Sequence, residues 1–328
     1  MKFSRRDVSK GLLSVCAVSA LQPMTQVFAA SPKTITLNVG FPAGGVPDVV
    51  ARTLAERLQA LMQKNIVVVN RVGAGGQLAV SSLKAAPADG SVYALSTPAT
   101  LTLFPHLYSN LSYDAERDIV PVAAVCSYFL AVVVNNNVPV KTTQELWEWC
   151  KKNPDQATCG IPGAGTSIHF LTEKIAELTG VKFRTVPYKG AAALSQAVVT
   201  GEIACSINLT NNFSALHNSG KLKMLAVSSP ERLPQTPEVP TFAESGLAKI
   251  AVPEWMGVVA NAKTPKAEID AMYTAVQQVL AEPGFKEKLA IQQCVPTPMT
   301  ADAFAQMIKS GSRTWKEHIQ KTGFKIDA

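Results

Sequence analysis

The chain lacks most of the signatures that announce chemistry. No run of basic residues is longer than a pair such as Lys151-Lys152, and basic residues do not interleave with aromatics, which argues against a nucleic-acid partner. No Cys-x-x-Cys or mixed Cys/His spacing appears, so neither a structural zinc nor a dithiol redox centre is expected. A Gly-x-Ser-x-Gly elbow, a paired acid–base spacing, a His-rich metal cluster and a cofactor fingerprint are all missing, leaving no catalytic residue or cofactor to name. No internal repeat of 20–50 residues and no low-complexity tract is visible. Beyond the first thirty residues, no apolar stretch approaches the roughly 20 residues that span a bilayer.

The beginning of the chain reads as an address. Ser4-Arg5-Arg6-Asp7-Val8-Ser9-Lys10 resembles a twin-arginine export motif, followed by the apolar run Gly11 to Leu21, which is too short to cross a membrane. Val27-Phe28-Ala29 offers small residues for a signal peptidase, so residues 1–29 are expected to be a leader and the mature chain to start near Ala30 in a periplasm. A lipid anchor on Cys16 fits poorly, because Val15 is large and little apolar sequence precedes it. Removing residues 1–29 lowers the 31 basic and 24 acidic residues to 27 and 23, and the net charge from +7 to +4. A mild positive balance suits an anionic small ligand only weakly. About 300 mature residues suffice for one large or two medium domains.

Strand and helix signals alternate. Short β-rich runs at Thr34 to Val39, Ile66 to Val69, Ser91 to Ser96, Thr158 to Ile161, Phe183 to Val186, Ala204 to Leu209, Leu222 to Ser228 and Trp255 to Ala260 are separated by helical periodicities, notably Thr143 to Lys152 and Ala301 to Thr322. This argues for α/β layers with largely parallel sheets. Val122 to Asn135 is longer than an ordinary strand and predicts a segment passing between two sheets. Five cysteines remain after export: Cys126, Cys150, Cys159, Cys205 and Cys294. The number is odd, so at least one is unpaired within the chain. Cys150 and Cys159 are close enough in sequence for a short bridge, and buried free thiols are the other reading.

The stretch Phe41-Pro42-Ala43-Gly44-Gly45-Val46-Pro47-Asp48 sits between a strand signal and a helix whose apolar stripe is Val50, Leu54, Leu58, Leu61 and Met62. Two glycines ahead of a helix N-terminus let backbone N–H groups approach an anion, and the helix end carries about half a positive charge. A mere tight turn is the alternative. Gly160 to His169 repeats the arrangement: it again follows a strand and opens a helix striped by Phe170, Leu171, Ile175 and Leu178. It nearly spells a phosphate-binding loop, but Thr166 stands where the lysine is required. What remains is a nest of amides with the hydroxyls of Thr166 and Ser167, suited to an oxyanion. Two such sockets far apart in sequence suit a cleft in which each lobe holds one end of an anion.

At these residues the chain resembles the Bug-type extracytoplasmic solute receptors of tripartite tricarboxylate transporters. The likeness runs from about Thr34 to the C-terminus. It rests on Pro42-x-Gly44-Gly45-x-x-Asp48-x-x-Ala51-Arg52, Asn70-Arg71-x-Gly73-Ala74-x-Gly76, Ala88-Asp89-Gly90, Gly163-x-Gly165-Thr166-Ser167-x-His169 and Val186-Pro187-Tyr188-Lys189-Gly190, with further matches such as Pro237-x-Val239-Pro240-Thr241. The resemblance implies an α/β, two-lobed type II periplasmic-binding-protein fold, each lobe a mostly parallel sheet flanked by helices, with a ligand cleft between the lobes. Lobe 1 would comprise residues 30–130 plus 255–328, and lobe 2 residues 131–254. It implies a monomeric periplasmic receptor that captures a small organic carboxylate for an integral-membrane permease, without cofactor, metal or nucleic acid. By position, Ala43, Gly44, Gly45 and Asp48 would face one end of the ligand, and Gly163, Gly165, Thr166 and Ser167 the other. Val46-Pro47 replaces the small or hydroxylated pair common in relatives, and Val72 stands where proline is common.

Single residues have plainer readings beside these. Asp48 reads as a helix cap ahead of a ligand contact by its carboxylate, a role worth roughly 0.3–1 kcal/mol, and Arg52 lies at i,i+4 spacing to pair with it. His169 reads as structural, and Trp255 as hinge or core. Thr97, just beyond a strand end, and Tyr188 are candidates to line the cleft. Two other functions share the same sequence: a ligand-presenting component for a membrane kinase, which differs only in its lobe surfaces, and an exported enzyme, which lacks a cofactor motif.

Overall fold

The computed structural model describes residues 34–162, 166–188, 190–248, 254–323 and 325–326, except the side chain of residue 322. The expected leader at 1–29 and the site residues Gly163 and Gly165 lie outside them. In chain order the strands are β1 (Ile35–Val39), β2 (Ile66–Asn70), β3 (Val92–Ser96), β4 (Ile119–Tyr128), β5 (Leu130–Val134), β6 (Thr158–Ile161), β7 (Arg184–Pro187), β8 (Cys205–Leu209), β9 (Lys223–Val227), β10 (Glu254–Asn261) and β11 (Val295–Pro296). The helices are α1 (Val46–Met62), α2 (Gln77–Ala85), α3 (Phe104–Leu107), α4 (Thr143–Lys152), α5 (Ser167–Thr179), α6 (Ala191–Thr200), α7 (Ser214–Asn218), α8 (Lys266–Ala281), α9 (Pro283–Ile291) and α10 (Ala301–Thr322).

Two sheets organise the chain into the two lobes. The first has the order β11-β4-β10-β3-β1-β2 and the second β7-β6-β8-β5-β9. The long apolar run divides as anticipated: β4 belongs to the first sheet and β5, two residues later, to the second. The chain is back in the first sheet at β10. Both sheets are mixed rather than largely parallel. β1 pairs in parallel with β2 and β3, and β6 with β7 and β8, whereas β4 and β10, and β5 against β8 and β9, run antiparallel. The reason is the crossover itself. Segments that pass between sheets lack the βαβ connection that makes neighbours parallel.

Apolar faces close each lobe on both sides of its sheet. In the first lobe, Leu37, Val39, Leu54, Val122, Met256 and Val276 form one core and Val80, Leu101, Trp255 and Phe304 the other. Trp255 is core, edge-on to Phe304 with ring centres 4.9 Å apart. In the second lobe, Leu146, Trp147, Ile175 and Ile207 pack on one side, and Leu194, Val198, Phe213 and Leu222 on the other. A further cluster joins α3 and α10 of the first lobe to Phe170 on α5 of the second, through Phe104, Trp315 and Ile319. The five cysteines among the described residues are free and buried, Cys150 and Cys159 included. Burial, with a contribution from Cys159, pushes the Cys150 thiol up to about 12, so it behaves as a small apolar side chain.

Phe170 is fully buried and meets Trp315 edge-on with ring centres 6.1 Å apart. Phe170→Ala should lower unfolding stability by about 3–5 kcal/mol, read as a fall in the urea midpoint.

Candidate functional site

A cavity of about 570 Å³ lies between the lobes. The first lobe contributes Phe41, Pro42, Gly45, Val46 and Pro47 from the turn after β1, Gly75, Thr97 and Ala99 from later turns, and Phe104, Tyr128 and Met256. The second contributes Pro162, Thr166, Ser167 and Ile168 after β6, Ala191 at the start of α6, and Asn208, Leu209 and Asn212 around the end of β8. The turns after β1, β3 and β6 therefore meet at the carboxyl ends of parallel strands, where open α/β sheets bind their ligands.

Three helices begin at this cavity. Val46 opens α1, Ser167 opens α5 and Ala191 opens α6, and all three line it. Each N-terminus brings amides that have no carbonyl within the helix to bond, and a partial positive charge. None of the described residues that line the cavity carries a charged side chain. The polar groups it presents are the hydroxyls of Thr97, Tyr128, Thr166 and Ser167, the amides of Asn208 and Asn212, and backbone. Such a site attracts an anion by dipoles and hydrogen bonds, while its aromatic and aliphatic walls suit an apolar ligand body.

The glycine turn is held from within. Gly44 has φ of 80°, a left-handed conformation that favours glycine, and its N–H donates to Asp48 Oδ2 at 2.9 Å. The Gly45 N–H donates to the Pro42 carbonyl at 3.3 Å. Both amides are thus engaged inside the turn, which leaves the first-turn amides of Val46 and Asp48 as the donors at the head of α1. Ala43, Gly44 and Asp48 are not among the residues lining the cavity.

Asp48 is 2% exposed and works as a tie. It accepts from Arg52 Nε at 3.0 Å and from Asn70 Nδ2 at 2.7 Å, and Asn70 also donates to the Phe41 carbonyl at 3.0 Å. Burial raises its pKa, but the hydrogen bonds from Arg52, Gly44 and Asn70 and the Arg52 charge outweigh it and hold the carboxyl below its ordinary range. The network pins the turn to α1 and to the end of β2.

On the facing lobe, Thr166 is the N-cap of α5, its hydroxyl accepting from the His169 N–H at 3.2 Å. His169 reaches Glu173 at 3.3 Å, one turn further on. Of the residues expected from sequence, Gly45, Thr97, Thr166 and Ser167 come together here. Tyr188 does not line the cavity: it packs on the second-lobe core and its hydroxyl donates to Glu202 at 2.7 Å.

Sequence reasoning missed the start of α6, the walls Phe104 and Met256, the amides Asn208 and Asn212, and Tyr128. Asn208 left a faint signal, a polar residue inside the β-rich run from Cys205 to Leu209 that is 2% exposed in the fold. Also missed was Glu254, buried behind Tyr128 and hydrogen-bonded to the hydroxyls of Tyr128 and Ser167. Burial pushes the Glu254 carboxyl from an ordinary 4.5 up to about 7, against the opposing effect of those two bonds.

The model for the family described as "Tripartite tricarboxylate transporter family receptor" matches residues 50–324. Protein BugT of Bordetella pertussis is 29% identical over 327 residues, covering 99% of this chain and 100% of its own. The structure of the periplasmic binding protein BugD superposes with a TM-score of 0.76 at 29% identity, covering 89% of this chain and 98% of the other. That of R. palustris Rpa4515 with adipate gives 0.80 at 26%, covering 90% and 99%.

The raised Glu254 pKa fixes a pH dependence of stability. The folded carboxyl holds its proton more tightly than the unfolded one, so its contribution is fully present below pH 4.5 and is lost as the pH rises through about 7. Glu254→Gln lacks that loss. Relative to wild type, the variant should gain of order 3 kcal/mol between pH 5 and pH 8, measured from urea midpoints at the two pH values.

Proposed function

Because the chain belongs to the tripartite tricarboxylate transporter receptor family, we propose that it captures a small organic carboxylate in the cavity between its lobes, in the periplasm, and delivers it to an integral-membrane permease. It is a solute-binding protein, not an enzyme. The observation that carries the ligand class is the meeting of three helix N-termini on a cavity whose described lining holds no charged side chain. A neutral sugar gains nothing from three converging positive dipole ends, whereas a carboxylate gains from each. The adipate in the Rpa4515 structure is a ligand of the same kind. Gly163 and Gly165 belong to this reading as the residues leading into α5, with Thr166 and Ser167 supplying hydroxyls; Ala43, Gly44 and Asp48 support the opposite end by shaping the turn. Lobes of residues 30–130 plus 255–328 and 131–254 would close on the ligand about the β4–β5 and β10 crossings.

A thermal-shift screen of adipate, malate, benzoate and neutral sugars tests this directly. A carboxylate at 100 times its Kd should stabilise the protein by about 2.7 kcal/mol, and sugars should leave the melting temperature unchanged. Thr166→Asp keeps a side chain that caps α5 but adds a negative charge at the cavity wall. It should weaken carboxylate binding at least tenfold with the fold retained. Stabilisation by sugars alone, or wild-type affinity in Thr166→Asp, defeats the reading.

A further inference from the structure

Glu254 occupies a singular place in the chain's path. It opens β10, where the chain re-enters the first sheet, and its partner across the ladder is Tyr128, the last residue of β4 before the chain leaves that sheet. Both crossings between the lobes meet in this one pair. The Tyr128 hydroxyl donates to Glu254 Oε2 at 2.7 Å, and the Ser167 hydroxyl, from the head of α5 on the other lobe, also bonds the carboxyl. Tyr128 and Ser167 line the ligand cavity; Glu254 stands behind them, on the wall of a smaller space of about 290 Å³.

The surroundings offer Glu254 no counter-charge among the described residues. From β4 come the Tyr128 hydroxyl, on a half-buried side chain, with Ser127 beside it; Cys126 is buried and its thiol is pushed up, with Cys294 hydrogen-bonded to it. From α5 come Ser167 and, two residues on, His169 facing Glu173. Around the smaller space lie Ser228, Ser229, Phe129 and Phe242, all uncharged. Glu254 is the only ionisable carboxylate among the described residues that line either space.

Hydrogen counting turns this arrangement into a switch. A serine hydroxyl has one hydrogen to give, an ionised carboxylate only accepts, and a protonated one has a hydrogen of its own. An ionised Glu254 takes the hydrogens of both Tyr128 and Ser167. The Ser167 oxygen lone pairs, together with the Glu254 charge behind them, then repel an anion in the cavity. With Glu254 protonated, Tyr128 still donates to one carboxyl oxygen, the new O–H donates to Ser167 Oγ, and the serine hydrogen turns towards the cavity. Burial favours this second state near neutrality.

We propose that Glu254 is a proton-operated positioning residue that sets the direction of the Ser167 hydroxyl, so that a carboxylate enters the cleft together with one proton. This rests on the carboxylate reading of the cavity given above. No bond is broken apart from proton transfer: one proton passes from solvent to Glu254, and the hydrogen bonds reorient. Affinity is then level at acid pH and falls towards tenfold per pH unit once Glu254 ionises in the free protein. Glutamine at this position reproduces the protonated arrangement at every pH, its amide N–H donating to Ser167 Oγ and its carbonyl accepting from Tyr128.

The test is isothermal titration of wild type and Glu254→Gln with adipate, malate and benzoate at pH 6, 7.5 and 9, in paired buffers of different ionisation heat. Wild type should lose at least tenfold in affinity between pH 6 and pH 9 and take up close to one proton per bound acid at pH 9. Glu254→Gln should keep the pH 6 affinity throughout and take up none. A ligand-free readout runs beside it: the infrared C=O band of a protonated carboxyl should be present in wild type at pH 6, fade by pH 9, and be missing from the variant. Equal pH profiles in the two proteins, an affinity that rises with pH, or the absence of that band in wild type at pH 6 overturns the switch and leaves the carboxylate site standing. Failure of all three acids to bind wild type at any pH removes the carboxylate reading, and the switch with it.

Discussion

An anion taken out of water must find compensation for its lost hydration, and a cavity whose described lining holds no cationic side chain supplies it through oriented dipoles. That constraint governs this molecule. The amides at the heads of α1, α5 and α6 must be held at fixed directions around one space, although they come from two lobes and from positions more than 140 residues apart in the chain. The rest of the architecture serves that aim. Parallel strands deliver the turns after β1, β3 and β6 to the same side of their sheets, while the antiparallel strands carry the chain from one sheet to the other.

The supports differ between lobes. At α1 they are polar: Asp48 gathers Gly44, Arg52 and Asn70, so the turn cannot reshape without leaving a buried carboxylate unsatisfied. At α5 they are apolar: Phe170 is locked into the cluster with Trp315 and Ile319, which sets the helix against α10 of the other lobe. At the crossings the Tyr128–Glu254 contact joins the two lobes' connections to the wall of the cavity. The aspartate of the first turn thus shapes the site without lining it, and the glycines matter for their backbone geometry as much as for their amides.

The cysteines illustrate how burial decides a question that spacing leaves open. Cys150 and Cys159 are near in sequence and packed in one core, yet remain separate thiols. Cys159 instead lies beside Cys205 in the parallel ladder, and Cys126 beside Cys294 in the first lobe. Hydrogen bonding to the paired sulfur, followed by desolvation, raises the Cys126 and Cys205 thiols, and desolvation raises that of Cys150, so packing rather than reactivity is what these positions express.

Local pattern alone determined the elements. Period-2 runs became strands to within a residue or two, the helices Thr143 to Lys152 and Ala301 to Thr322 fall at their expected ends, and the over-long run after Val122 splits between two sheets. The glycine turn after β1 was legible too, as were the strand and helix start that flank the second, because such signals are written in consecutive residues. Tertiary structure decided what converges on them. The start of α6, the walls Phe104 and Met256, and the Tyr128–Glu254 pair, separated by 126 residues, carry no local mark that relates them to the turn at Phe41. It also decided that the Gly44 and Gly45 amides turn inward, since their partners, Asp48 and Pro42, are chosen by the three-dimensional path of the turn. Backbone conformation responds to neighbours in sequence, whereas desolvation and dipole convergence respond to neighbours in space, and only the folded chain brings those together.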